Sequence, residues 1–135
     1  MIILLEIADR SDDLEKIIKI KNPTWSIVEE SLKNLNYNNK YTATIEADNG
    51  SYMGIVIGEH NKYLVGSFLA GKGRFILVDS PDEENFITLE IGGKHSKFAA
   101  HEFVDLETLL TVAETFFKTG ECDRRFEWKE RGANC

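Results

Sequence analysis

Apolar and polar residues alternate through the middle of the chain, which is the pattern of a half-buried β-strand. From Tyr41 to Ala47 every second residue is apolar, and the residues between them are Thr or Glu. The same alternation predicts that Glu46 and Asp48 share the opposite face of this strand. Asn49-Gly50 then provides the backbone conformation of a tight hairpin turn before a second alternating run at 53–57. Turns at 58–61 and 71–73 predict two more antiparallel strands, at 63–69 and 75–78.

Further extended segments lie at both ends of the chain. Residues 2–8 predict a first strand, and 124–129 predict a last one. After an acidic loop at 79–84, strands at 86–91 and 98–104 flank a Gly92-Gly93 turn. Residues 14–21 fit either a helix or a strand, since their apolar spacing is helical but 17–21 is also compatible with extended backbone. We predict an antiparallel sheet of about six strands.

Two segments have apolar residues three and four apart, as on one face of an α-helix. Pro23 suits the start of the first helix, along which Trp25 and three later apolar residues share a face. Asp105 is a capping residue for the second helix, and Gly120 is its expected end. We predict that both helices pack on one face of the sheet, so that residues 1–135 form a single α+β domain.

Composition limits the classes of protein to which this chain can belong. With 135 residues, of which 42% are hydrophobic, the chain has the profile of one compact domain. Its net charge of −7 repels phosphate, so we expect no direct binding of nucleic acid. No apolar run approaches the roughly 18 residues that span a bilayer. We therefore expect a cytoplasmic protein, a monomer or a weak dimer, with free thiols at Cys122 and Cys135.

The residues that could bind a metal, act as a nucleophile or hold a phosphate do not have the spacing or surroundings that these functions require. His60, His95, His101 and Cys122 form no close metal-binding pair. Cys122 stands between two acidic residues, which raises the pKa of a thiol and disfavours a nucleophilic thiolate. The glycines around Lys72 lack both the length and the following helix of a phosphate loop. We predict no catalytic residue, no metal site and no cofactor.

The negative charge is unevenly distributed along the chain. Residues 41–104 contain 5 basic and 9 acidic residues, so they carry −4 of the net −7. An acidic sheet suits docking to a basic protein, because opposite potentials speed the encounter and disfavour wrong partners.

Several motifs between Asn22 and Trp128 resemble a known family by their order and spacing. They are Asn22-Pro23-Thr24-Trp25, Asp48 to Met53, Gly92-Gly93, Asp105 to Thr108, and Phe116 to Gly120 followed by Phe126 to Trp128. This set resembles the first-numbered immunity protein family of bacterial polymorphic-toxin systems. The resemblance implies a small cytosolic protein, encoded beside a toxin, that binds and blocks the toxin without chemistry of its own. Such toxins are often nucleases or nucleic-acid deaminases.

Acidic residues are the candidate contacts of such a protein, because carboxylates can lie where a basic cleft would hold phosphates. The candidates for binding a basic cognate toxin domain are Glu46, Asp48, Asp82, Glu83, Glu84 and Glu90. We assign Trp25, Trp128, Phe116 and Phe117 to packing, since aromatic residues on apolar faces are more often part of the core.

Two other functions remain open from the sequence. One is a small-ligand-binding or enzymatic domain that uses the sheet face, with His101, Glu102 and Glu46 as its polar groups. The other is a scaffold or oligomerisation module.

Overall fold

A computed structural model describes residues 1–10, 15–58, 61–78, 86–91, 94–99 and 103–131. Within these ranges the chain forms ten strands and two helices. The strands are β1 Ile2–Asp9, β2 Lys16–Lys21, β3 Lys40–Ala47, β4 Tyr52–Ile57, β5 Tyr63–Leu69, β6 Gly73–Val78, β7 Phe86–Ile91, β8 Lys94–Ala99, β9 Phe103–Val104 and β10 Glu127–Arg131, and the helices are α1 Trp25–Lys33 and α2 Leu106–Thr119. The α+β class predicted from the sequence is confirmed.

Eight of these strands form one antiparallel sheet in the order β10-β6-β5-β4-β3-β1-β2, with β9 paired to the start of β5. The consecutive hairpins from β3 to β6 confirm the turns predicted at 49–50 and 71–73. Gly50, Gly71 and Gly73 have positive φ angles of 88°, 80° and 110°, a conformation that favours glycine. β1 lies between β2 and β3, so α1 connects the edge strand β2 to an inner strand.

The alternating pattern of β3 to β5 sends every second side chain into one core. Ile45, Met53, Ile55 and Val65 are at most 1% exposed. Buried residues of both helices belong to the same cluster, and these are Val28, Leu32, Leu109, Val112, Ala113 and Phe116. Burying such aliphatic and aromatic side chains stabilises a fold by about 1.5–3 kcal/mol each.

The predicted capping residues define the limits of α2. The Asp105 carboxylate accepts a hydrogen bond from the Thr108 amide at 2.8 Å, and Gly120 ends the helix with φ 72°. In α1 the cap is Thr24, whose hydroxyl accepts from the Ile27 amide at 3.3 Å. Both predicted helices are therefore confirmed, although α1 begins at Trp25, after the Thr24 cap, and not at Pro23.

The aromatic residues assigned to packing lie against this core. Phe116 is fully buried, whereas Trp25, Phe117 and Trp128 are partly buried and contact the same cluster. The rings of Trp25 and Phe117 meet at 5.8 Å between centroids, which ties α1 to α2.

Arg10 fixes the end of β1 against the start of β3. Its guanidinium lies 4.4 Å from the centroid of the Tyr41 ring and 5.5 Å from that of Tyr37. It also donates hydrogen bonds to the backbone carbonyls of Tyr37 and Asn38. These contacts support the β1–β3 pairing, which is the pairing that brings residues distant in sequence onto one face of the sheet.

The predicted number of about six strands is wrong, because the main sheet has eight, and the predicted membership of the sheet is also wrong. The ambiguous segment is extended, and its β2 pairs with β1 along the edge of the sheet. The second hairpin, β7–β8, forms a separate two-stranded sheet with Phe86 opposite Ala99 and Ile91 opposite Lys94.

Two predicted strand boundaries are also wrong. The strand expected at 98–104 is divided between β8, which ends at Ala99, and the two-residue β9. The last strand starts at Glu127 and not at Arg124, because the Asp123 carbonyl and carboxylate accept hydrogen bonds from the amides of Phe126 and Arg125. Those bonds hold the residues before β10 in a turn.

Candidate functional site

The side chains that alternate with the core residues form the other face of the main sheet, which we call the outer face. Along one row of register partners it carries Leu4, Glu46, Tyr52, Phe68 and Arg74, each on a neighbouring strand from β1 to β6. Leu4, Glu46, Tyr52 and Phe68 are half-exposed, and Arg74 is exposed. Across the strands from β3 to β6, the outer face therefore presents an acidic side chain, two aromatic rings and a basic side chain, in that order.

Four residues of the outer face line a shallow depression of about 190 Å³. They are Glu6, Thr44, Glu46 and Tyr52. Glu6 is the register partner of Thr44, while Glu46 lies one pair further along β3, so the two carboxylates are diagonal neighbours. Side chains in this relation have Cα atoms roughly 7–8 Å apart, which lets one ligand group contact both.

Tyr52, which lines this depression, belongs to an aromatic pair. The rings of Tyr52 and Phe68 stack with 5.4 Å between centroids and 25° between planes. Beside them, Gly54 of β4 lies opposite Gly66 of β5, and a Cβ atom added at Gly54 would have no atom within 4 Å. A Cβ atom added at Gly66 would lie 3.8 Å from Ile76 Cδ1, so the bare backbone next to the rings is at Gly54. It forms a trough into which another molecule can reach.

Basic residues flank this depression on the outer face. Lys19 on β2 is the register partner of Glu6, and Arg74 on β6 is that of Phe68. Glu46 has Leu4 and Tyr52 as its partners, and it forms no ion pair with any described residue. Within the depression, Glu46 is therefore the carboxylate that has no basic register partner, whereas Glu6 lies opposite Lys19.

The structure brings one of the predicted contact residues, Glu46, into a shaped site. Asp48 was expected on the same strand face, but β3 ends at Ala47, and the bonds between Ala47 and both Gly50 and Ser51 close the turn there. The Asp48 carboxylate instead lies 3.3 Å from the Met1 amine. The expected pairing of Glu46 with Asp48 on one strand face is wrong.

The remaining predicted contacts are not part of this depression as the described residues define it. Glu90 is on β7, opposite His95 of β8 in the register. Asp82, Glu83 and Glu84 fall outside the described residues, as do His60, His101 and Glu102.

Sequence reasoning missed Glu6, Thr44, Tyr52 and Phe68. A signal existed for Glu6, which interrupts an apolar strand, and for Tyr52 and Phe68, which are out of phase with the core residues of their strands. Only the register places Glu6 beside Glu46, since their strands are separated by β2 and α1.

A second depression, of about 260 Å³, lies where α2 leads into β10. Its lining is mainly apolar, with Leu69, Phe75, Cys122 and Trp128, while an ion pair of 3.2 Å joins Lys72 to Glu121 at its edge. Burial is the main cause that raises the pKa of the Cys122 thiol, and the Glu121 charge adds to it. The raised pKa expected for Cys122 from its acidic neighbours is confirmed, but burial raises it more than the neighbouring charge does.

The described residues contain no group of three or more His, Cys, Asp or Glu side chains that could hold a metal ion. In the same part of the chain, neither helix is long and apolar enough to cross a membrane. Comparisons with protein-family models, curated proteins and solved structures found no match to this chain.

Proposed function

We propose that this protein is an immunity protein that binds a cognate bacterial toxin and neutralises it by occlusion, without catalysis. The toxin is expected to be a nuclease or a nucleic-acid deaminase, and the complex is expected to form in the cytoplasm. The observation that carries the proposal is the outer face, where Glu6 and Glu46 flank a depression beside the Tyr52–Phe68 stack. The sequence motifs that resemble the immunity family support the same function.

The chemistry of this face suits a protein partner. Tyrosine is enriched among the residues that dominate binding energy at protein interfaces, because a ring supplies a large contact area at low entropic cost. Toxins that act on nucleic acid need basic surfaces to hold phosphates, and carboxylates can occupy those surfaces. With both helices placed on the opposite face of the sheet, as we propose, the outer face is open to a partner.

A small-ligand or enzymatic function has less support. The three depressions lined by described residues, at about 120, 190 and 260 Å³, are below the roughly 300–1,000 Å³ typical of pockets for drug-sized ligands. The Cys122 thiol has a raised pKa, which opposes its use as a nucleophile. Three polar groups were expected for a ligand-binding or enzymatic site, namely His101, Glu102 and Glu46. Of these, Glu46 lies among the described residues, and it lines a shallow depression.

Co-expression tests the proposal directly. The chain is produced in a bacterial host together with the toxin domain encoded by the adjacent upstream gene. We expect rescued growth and a stable complex in size-exclusion chromatography. Failure of both rescue and complex formation would show that the protein is not an immunity protein for that toxin, and self-association of the chain alone would favour the oligomerisation module.

A matched pair of variants locates the interface. Glu6→Gln/Glu46→Gln removes two charges from the outer face, whereas Glu30→Gln/Glu130→Gln removes two from exposed positions on α1 and β10. We expect the first variant to weaken the complex by tenfold or more and the second to leave it unchanged. Equal affinities for both variants would move the interface away from the outer face.

A further inference from the structure

We propose that the depression between Glu6, Thr44, Glu46 and Tyr52 is the seat of a single arginine side chain supplied by the protein partner. The guanidinium would stack on the open side of the Tyr52 ring and donate hydrogen bonds to the Glu46 carboxylate. This inference rests on the proposed function for the identity of the partner, but its own test does not use the toxin.

The first argument is the environment of the Tyr52 ring. Phe68 stacks against the ring from the β5 side, and Glu46 is the register partner of Tyr52 on the β3 side. The ring therefore presents its remaining face towards the depression that it lines with Glu46. A flat cation beside an aromatic face is attracted by the negative charge of the ring face.

The second argument is the set of hydrogen-bond acceptors. The depression offers the carboxylates of Glu6 and Glu46 and the hydroxyl oxygens of Thr44 and Tyr52. A guanidinium has five N–H donors in a planar fork, so it can engage a carboxylate with two bonds while it stacks on a ring. The ammonium of lysine is compact and cannot do both in this way. Arginine is thus the cation that the acceptors favour.

The third argument is size and access. A volume of about 190 Å³ corresponds to roughly six water molecules at about 30 Å³ each, the space of one long side chain. Gly54, the register partner of Thr44, has nothing within 4 Å of an added Cβ, so the approach along the trough is open. Lys19 and Arg74 flank the seat and disfavour a cation placed beside it, away from the two carboxylates. One arginine, and not a basic cluster, fits this arrangement.

The test is an NMR titration of the isotope-labelled full chain with three small probes. N-acetyl-arginine amide is compared with N-acetyl-citrulline amide, its neutral isostere, and with N-acetyl-lysine amide. We expect saturable shifts of the Thr44, Glu46, Tyr52 and Gly54 amides with the arginine probe, at a dissociation constant on the order of 1 mM. The lysine probe should bind at least threefold more weakly, and the citrulline probe should cause no saturable shift.

Variants separate charge from shape in the same titration. Glu46→Gln should weaken arginine binding at least fivefold, and Gly54→Leu should weaken it similarly by filling the trough while both carboxylates remain. Glu30→Gln should have no effect. The dispersion of each spectrum reports whether the variant is folded. If one of these variants is not folded, Tyr52→Leu takes its place, and we expect it to weaken arginine binding to the same extent.

Other results would overturn the proposal. Equal shifts from the citrulline probe would exclude a charge-dependent seat, and equal affinity for the lysine probe would indicate unspecific electrostatic attraction. Shifts confined to residues elsewhere would place the site on another surface. Rescue of growth without arginine binding rejects the seat alone, whereas arginine binding without rescue or complex formation rejects the proposed function alone.

Discussion

Asp123 shows how one residue can fix the connection between two elements. Its side chain is 4% exposed and accepts hydrogen bonds from Thr115 Oγ1 at 2.8 Å and from the Arg125 guanidinium at 2.9 and 2.6 Å. Its backbone carbonyl also accepts from Trp128 Nε1 at 2.9 Å. The hydrogen bonds from Arg125 are the main cause that holds the pKa of Asp123 far below its ordinary value. The carboxylate thereby links the end of α2 to the start of β10.

We expect Asp123→Asn to lower the free energy of unfolding at pH 7 by about 1–3 kcal/mol, the usual cost of disrupting hydrogen bonds to a buried charged group. Because the pKa of Asp123 is depressed in the folded state, its contribution is fully present above the unfolded pKa of about 4 and is lost as the pH falls towards the folded value. Urea denaturation at pH 7 and at pH 3 measures both effects.

The difference between wild type and Asp123→Asn should therefore be smaller at pH 3 than at pH 7. Glu30→Gln, at an exposed position on α1, is the control and should change stability by no more than about 0.5 kcal/mol at either pH. A difference between wild type and Asp123→Asn that is independent of pH would mean that the carboxylate charge has no role in this connection.

At the scale of elements, the end of α2 depends on a glycine backbone conformation. Gly120 has φ 72°, and its amide donates to the Phe116 carbonyl at 2.7 Å. Gly54, in the middle of β4, has ordinary strand backbone, and neither glycine has an atom within 4 Å of an added Cβ. The two positions differ in backbone conformation and not in available space.

Gly120→Ala should therefore lower the free energy of unfolding by about 1 kcal/mol, because an L-residue is disfavoured in the left-handed region. Gly54→Ala should be neutral or stabilising by up to about 1 kcal/mol, since it reduces the entropy of the unfolded chain without strain. Thermal denaturation of both variants gives the comparison. Equal destabilisation by both would mean that the added methyl group, and not the φ angle, determines the cost.

Local patterns explain why some elements were predictable from the sequence. The alternation in β3, the Asn49-Gly50 turn and the caps of α2 are all set by neighbours within a few residues. Pairings between distant segments are not, and these decide the number of strands. The Lys and Ile residues of β2 fit helix and strand equally until β1 pairs with them. The β7–β8 hairpin has strand-forming residues whether or not it joins the main sheet.

The same distinction holds for the candidate site. Glu46 could be found from the sequence because the alternation of β3 places it away from the core. Its neighbours Glu6 and Tyr52 come from two other strands, and the pairing of β1 with β3 crosses an intervening strand and helix. A charge count along the chain cannot reveal that these three residues lie next to one another. It also hides the basic flanks of the outer face, which come from β2 and β6.

For the whole molecule, the charge distribution determines how a basic partner would be captured. The net charge of −7 attracts such a partner over long range, while Lys19 and Arg74 leave a small acidic centre on the outer face. Long-range attraction acts on the rate of association, because charges at the rim of an interface mainly steer the encounter. A desolvated contact inside the interface acts on the rate of dissociation.

We therefore expect the association rate with the cognate toxin to fall by about tenfold or more as ionic strength rises from 0.01 to 1 M, which shortens the Debye length from about 30 to about 3 Å. Surface plasmon resonance measures both rates. Glu46→Gln should mainly speed dissociation at every ionic strength, because Glu46 lines the proposed seat. Glu127→Gln, on the exposed edge strand β10, should change only the association rate, and by less than threefold. If Glu46→Gln changed only the association rate, Glu46 would act by steering, and the contact that holds the partner would lie elsewhere.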